Sequence, residues 1–176
     1  MKTFVILLRG VMPTGKNKVP MAPLRAALAK AGLKDAQTYI QSGNVIATSK
    51  LTQSRLEQLV HDVIEKSFGG DIAVVARDAA TFRSILKRNP FRRVDTATLY
   101  FSLLASRPDS ALVKKLLRID FSPDDVRIVD DVLYTRYATK LSDSRFNNNY
   151  FERKLNVAAT TRNFNTMTKL VELSSA

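Results

Sequence analysis

The sequence predicts an α+β fold on three observations. Short apolar or alternating runs have strand length, repeats of three and four residues between them have helical spacing, and Gly, Pro, Asn or Asp stand where one gives way to the next.

Thr3 to Leu8 is a short apolar run ended by Arg9-Gly10 and reads as a buried strand. Val11 to Lys18 is a loop carrying Pro13 and Gly15. A helix follows with Leu24, Ala27, Leu28 and Ala31 on one face and Gly32 as its stop. Thr38 to Gln41 and Asn44 to Thr48 flank Ser42-Gly43 as a hairpin. Leu56, Leu59, Val60, Val63 and Ile64 line one face of a second helix, which Gly69-Gly70 ends. Ile72 to Ala76 is a further strand. This β-α-β-β-α-β order is the ferredoxin-like one.

The second half echoes the first. A helix around Thr81 to Lys87 links them, and Thr96 to Leu104 is a strand. Asp109 caps a helix with Leu112, Val113, Leu116 and Leu117 inward. Val126 to Val129 and Val132 to Tyr137 form a hairpin around Asp130-Asp131, followed by a helix from about Phe146 to Leu155. No final strand is apparent, and a helix from about Phe164 to Leu173 takes its place. The expectation is two related ferredoxin-like halves, residues 1–77 and 78–176. No Gly/Ser-rich linker parts them, so they are expected to pack together.

Composition narrows the chemistry. The 176 residues contain no Cys, which removes disulfides, thiolate nucleophiles and the usual zinc sites, and one histidine, His61, which removes multi-histidine metal sites. No segment approaches the ~20 apolar residues of a membrane span, and Arg9 ends the first apolar run too soon for a signal peptide. These features predict a cytoplasmic protein with no membrane partner, no cofactor and no metal. The formal net charge of +12 attracts polyanions, and it equally fits a basic surface that only keeps the protein soluble. It divides evenly, with 11 basic and 5 acidic side chains in residues 1–77 and 17 and 11 in residues 78–176. Any polyanion site is therefore expected on the folded surface rather than in a tail.

Four segments are candidates. Gly10 to Lys16 spells G-x-x-x-x-G-K, the phosphate-binding loop, but Asn17 stands where a magnesium-binding hydroxyl belongs, and Pro20 and Pro23 delay the helix. That argues against a nucleoside triphosphatase. A looser phosphate site from Arg9, Lys16, Lys18 and backbone N–H groups stays open. Gln41-Ser42-Gly43-Asn44 reads as turn chemistry. Lys87, Arg88, Arg92 and Arg93 surround Phe91, the composition of a nucleic-acid contact, with Phe91 read as a buried anchor and the cations as the candidates. Thr160, Thr161, Arg162 and Asn163 precede the last helix, where Thr or Asn would cap it and Arg162 would attract an anion. His61 is expected to be exposed, and Asp130-Asp131 reads as a turn.

The same segments resemble the domain-of-unknown-function 1697 family. The resemblance is carried by Leu7-Leu8-Arg9-Gly10 with Gly15 to Met21, by Thr38 to Val45, by Asn89-Pro90-Phe91, and by Ala159 to Asn163 with Asn165-Thr166. This chain has Val11-Met12-Pro13-Thr14-Gly15 where the family usually has Ile-Asn-Val-Gly-Gly, and Phe164 where it usually has Trp. The resemblance implies a bacterial-type cytosolic protein of ferredoxin-like build and supplies no catalytic residue. It raises Arg9, Gly10, Lys16, Asn17, Ser42, Gly43, Asn44, Thr160, Thr161, Arg162 and Asn163 as candidate ligand contacts. Whether they converge on one site is left open by the sequence.

The leading functional expectation is a binding module for an anionic partner, either nucleic acid or a phosphorylated small molecule. The alternatives are an enzyme acting on a phosphorylated metabolite, with no nameable acid or base, and a protein-interaction module without a small ligand.

Overall fold

The computed structural model describes residues 1–175. The chain divides into two compact units. One is Met1–Ser84 with the end of the chain from Lys169, and the other is Ile85–Thr168. The sequence places the division after residue 77, at the end of a strand, whereas the structure places it within a helix.

The first unit contains β1 (Lys2–Leu8), α1 (Met21–Lys30), β2 (Lys34–Tyr39), β3 (Asn44–Ser49), α2 (Gln53–Phe68) and β4 (Val74–Asp78). Then come α3 (Ala79–Lys87), β5 (Leu99–Leu104), α4 (Ser110–Leu116), β6 (Asp125–Val129), β7 (Val132–Arg136), α5 (Asn148–Leu155), β8 (Ala159–Asn163) and α6 (Phe164–Leu173). The result is an α+β fold with two four-stranded antiparallel sheets and six α-helices among the described residues.

The sheets have the orders β2-β3-β1-β4 and β6-β7-β5-β8, the same order once the elements are renumbered within each unit. The likeness extends to single hydrogen bonds. At the end of β1, Leu8 N–H donates to Gly43 O (2.8 Å) and Arg9 N–H to Ala73 O (3.0 Å). At the end of β5, Leu104 N–H donates to Asp131 O (2.9 Å) and Ala105 N–H to Ala158 O (2.8 Å).

The apolar run of β1 is explained by its place. It lies between β3 and β4 and is buried on both faces, so both alternations must be apolar. Phe4, Ile6 and Leu8 pack with Leu24 and Leu28 of α1 and Leu56, Val60 and Ile64 of α2. Each such side chain removed from water contributes roughly 1.5–3 kcal/mol. Gly69 ends α2 in the left-handed region at φ 72°. In the second unit, Leu104, Leu116, Leu133, Phe146, Phe151 and Leu155 form the corresponding core. Edge-to-face rings, such as Phe121 and Phe146 with centroids 4.8 Å apart, fill it.

Two expectations are corrected. The second unit has a fourth strand, β8, which pairs antiparallel with β5. Its residues Ala159 to Asn163 carry little apolar signal because polar partners satisfy Thr161 inside the fold. The hydroxyl of Thr161 lies 2.7 Å from Ser102 Oγ and donates to Asn148 Oδ1 (2.8 Å). The first hairpin also begins earlier than Thr38. Its strand β2 is a polar edge strand from Lys34, and the chain already reverses at Ile40, φ 50°.

Candidate functional site

The loop after β1 and the turn between β2 and β3 meet at one end of the first sheet. Besides the Leu8–Gly43 hydrogen bond, a Cβ placed on Gly43 would lie 2.7 Å from Leu8 Cβ and 2.8 Å from Val11 Cγ2. Gly43 also has φ +78°. Glycine is therefore required twice there, by backbone conformation and by close approach. Asn44 is fully buried, and its Nδ2 donates to Tyr39 O (3.1 Å) and Ser42 Oγ (3.0 Å). The structure thus gathers Arg9, Gly10, Asn17, Ser42, Gly43 and Asn44 around one junction, with Lys16 exposed on the loop.

The junction does not form a phosphate-binding loop. Met12 N–H donates to Asn17 O (2.9 Å) and Lys18 N–H to Gly15 O (3.2 Å), so the loop spends these donors on itself. Asn17 Nδ2 donates to Gly10 O (3.2 Å), bracing the loop across its base. The helix begins at Met21, after the Gly-Lys pair instead of at it.

Thr160 to Asn163 lies in β8 of the other unit. Arg162 is 9% exposed, and its Nη1 donates to Thr160 Oγ1 and Thr161 O, both at 2.8 Å. Burial pulls its guanidinium down to about 10, still charged at neutral pH. Asn163 Oδ1 accepts from Thr166 N–H (2.9 Å) and caps α6. In this segment Arg162 is buried, with Nη1 bonded within the strand, and Asn163 serves as a helix cap.

A second group of exposed candidate cations stands at the end of α3 and on the connection after it. There an open cleft of about 480 Å³ is lined by Lys87, Arg92 and Arg93, with Phe91, Leu99 and Phe164 among its apolar walls. Lys87, Arg92 and Arg93 are exposed. Among the described residues, none of the three has a carboxylate within ion-pair distance, and no carboxylate lines the cleft. Arg88 differs, because its Nη1 lies 2.6 Å from Asp130 Oδ2.

Local bonding holds the cleft in shape. Asn89 Oδ1 accepts from Phe91 N–H (3.1 Å), fixing the turn. Phe91 is 7% exposed, and the Arg127 guanidinium sits 4.7 Å from its ring centroid. Buried Tyr134 donates its hydroxyl to Ile85 O (2.9 Å), tying the end of α3 to the sheet. Burial pushes that phenol up to about 12, so it is a fixed donor at neutral pH. Phe164 and Leu99 are cleft residues that local reading does not find, because they are far from Phe91 in sequence. The one signal was that Phe164 stands at a position the resembled family fills with another large aromatic.

On α2, His61, Asp62 and Glu65 bring potential ligand atoms within 4.8 Å of one another. His61 is already engaged, with Nε2 3.0 Å from Asp71 Oδ1 and Nδ1 3.3 Å from Asp62 Oδ1. Those hydrogen bonds, from Asp71 first and Asp62 second, raise its pKa, and the group reads as a surface ion-pair cluster. Among the described residues, no helix is long and apolar enough to cross a membrane.

The conserved bacterial protein SP0830 from Streptococcus pneumoniae superposes with a TM-score of 0.80 at 21% sequence identity. The match covers 100% of this chain and 99% of that one, and at this identity it is a likeness of fold. No curated protein matches. A family model described as protein of unknown function (DUF1697) matches residues 1–134, from β1 into β7. It spans the β1–turn junction and the cleft connection through Leu99, so the chain belongs to the DUF1697 family.

Proposed function

We propose that the protein is a binding module for an anionic, phosphate-bearing partner, built from two ferredoxin-like halves. The shared order of the two sheets supports the second clause. The cleft supports the first: Lys87, Arg92 and Arg93 offer three positive charges beside apolar and aromatic walls, with no carboxylate to compete. Cations without partners raise the local concentration of anions, and an Arg fork suits phosphate oxygens. The exposed part of Phe164 offers a surface for a flat group. A nucleoside monophosphate matches this combination, and the terminal nucleotide of a nucleic acid presents the same chemistry. No carboxylate or histidine lines the cleft to act as acid or base, which favours binding over catalysis.

Calorimetric titration with AMP, with pyrophosphate and with a short single-stranded oligonucleotide tests this reading. AMP is expected to bind the native protein. The double change Arg92→Gln and Arg93→Gln should weaken AMP at least tenfold, whereas Phe164→Leu should weaken AMP and leave pyrophosphate unchanged. An oligonucleotide that binds much more tightly than AMP, with the same dependence on these residues, would assign the site to strand ends. If none of the three probes binds, or if the arginine changes have no effect, the reading is wrong.

A further inference from the structure

We propose that the exposed sides of α4 and α5 form a docking face for the backbone of double-stranded nucleic acid. The proposal does not rest on the cleft. It comes from the separation of charge on the helical layer of the second unit.

The two helices pack against each other and bury their apolar sides in one core, through Leu112, Val113 and Leu116 of α4 and Phe151 and Leu155 of α5. Outward stand mainly cations, with one large apolar side chain, Leu117, 49% exposed just past α4. Lys114 and Lys115 of α4, Arg118 just beyond it, and Arg153 and Lys154 of α5 are all exposed. None of these five has a carboxylate within 4.0 Å among the described residues.

The acidic groups nearest to these helices are taken up by backbone donors. Asp109 accepts from Ala111 and Leu112 N–H as the cap of α4. Glu152, half-buried on α5, accepts from Ala159 N–H at 2.7 Å. Asp120 accepts from Ser122 N–H at 2.9 Å. These carboxylates keep their charge, but none lies within 4.0 Å of the five cations.

The chemistry selects a duplex over other polyanions. Single strands are held by stacking on exposed rings, but here the rings are covered: Phe151 is buried and Lys154 Nζ lies 5.6 Å over the Tyr150 ring. A membrane surface would need a broad outward apolar face, whereas most apolar side chains of both helices face the core and the half-exposed Leu117 stands among the cations. Helices of seven and eight residues extend roughly 10–12 Å at about 1.5 Å per residue, the axial length of about three phosphate steps of a duplex strand. Contacts to phosphates are independent of base sequence.

The test is fluorescence anisotropy of a labelled 20-base-pair DNA duplex over a series of salt concentrations. The full chain should bind, with an affinity that falls as salt rises. Two double variants are compared with it: Lys114→Gln with Lys115→Gln, and Arg153→Gln with Lys154→Gln. Each should weaken binding several-fold at low salt and reduce the salt slope by roughly 0.9 per phosphate contact removed. The same positions exchanged between Lys and Arg should retain binding, and thermal melts confirm folding. A control on α2, Arg55→Gln with Lys66→Gln, removes two exposed cations outside both sites and should leave duplex binding nearly unchanged, as should saturating AMP, which separates this proposal from the reading of the cleft. The proposal is overturned by no duplex binding at low salt, by equal binding in the helix variants, or by an equal loss in the α2 control. Capture of anionic phosphatidylserine vesicles without duplex binding also overturns it.

Discussion

The first and second sheets share a strand order and the hydrogen bonds that close their central strands, but α2 on the first presents a different surface from α4 and α5 on the second. On the first sheet, α2 mixes Arg55 and Lys66 with Glu57, Asp62 and Glu65, and links them through side-chain bonds such as Gln53 to Glu57 (3.2 Å) and Gln58 to Asp62 (2.7 Å). On the second, α4 and α5 carry Lys114, Lys115, Arg153 and Lys154 against the single acid Glu152. The core pattern that seats a helix constrains one side of it. The outer side is free to diverge, so a repeated architecture can keep one surface solvated and turn the other toward a polyanion. The turns diverge as well: the carbonyl that accepts from the end of the central strand belongs to Gly43 in one unit and to Asp131 in the other.

The largest expected effect sharpens that difference at the turns. Gly43→Ala places a Cβ 2.7 Å from Leu8 Cβ in a left-handed backbone, and should cost roughly 2–4 kcal/mol from overpacking and conformational strain. Urea unfolding measures it. A loss below about 1 kcal/mol would mean that this turn can back away from β1, and that glycine is a convenience there. Asn44→Ala removes the donor to Tyr39 O and Ser42 Oγ from a fully buried site, and should cost roughly 1–3 kcal/mol. A near-neutral result would show that water reaches the turn, as it reaches the exposed Asp130 in the hairpin of the second unit.

The sequence was legible where burial follows a simple period. Leu56, Val60 and Ile64 mark α2, Gly69 stops it, and the uninterrupted run of β1 marks a strand covered on both faces. It was not legible where polar groups satisfy one another inside the fold. β8 places Thr160 and Arg162 in buried positions, which no apolar pattern announces. Nor was Ile40, a β-branched residue at φ 50°, a foreseeable reversal point. The junction of Arg9 and Gly43 was visible as two motifs, but their meeting depends on sheet register. The cleft required Phe164 to join Phe91, and the basic face required two lysines and an Arg-Lys pair from helices distant in sequence.

A smaller effect tests how the basic face is held. α4 has seven residues, and its N-terminus rests on the Asp109 carboxylate, whereas the 16-residue α2 has no side-chain cap bond at its start. Short helices gain little from propagation, so the cap matters more to α4. Asp109→Ala should cost about 1 kcal/mol. Hydrogen exchange should then rise in α4 with little change in α2. An equal rise in both helices would show that the substitution loosens the whole protein, leaving the contrast between the layers without support from dynamics.

The smallest effect belongs to the mixed-charge helix. Hydrogen bonds to Asp71 and then Asp62 raise the pKa of His61, with Glu65 adding to the field. A raised folded-state value means that protonated His61 stabilises the protein fully below its ordinary pKa, and that this contribution fades as pH rises through the higher folded value. The Asp71 side chain is 92% exposed, so solvent and salt screen the pair and it is worth only about 0.2–1 kcal/mol. Urea midpoints at about pH 5.5 and about pH 8 in low salt, for the native chain and for His61→Gln, measure it. The native chain should lose more stability between the two conditions than the variant does. His61 is the sole histidine, so a histidine-dependent shift in this window has to come from the first unit. A drop of the same size in the variant would move the sensitivity to other groups and leave the α2 cluster without a share in it.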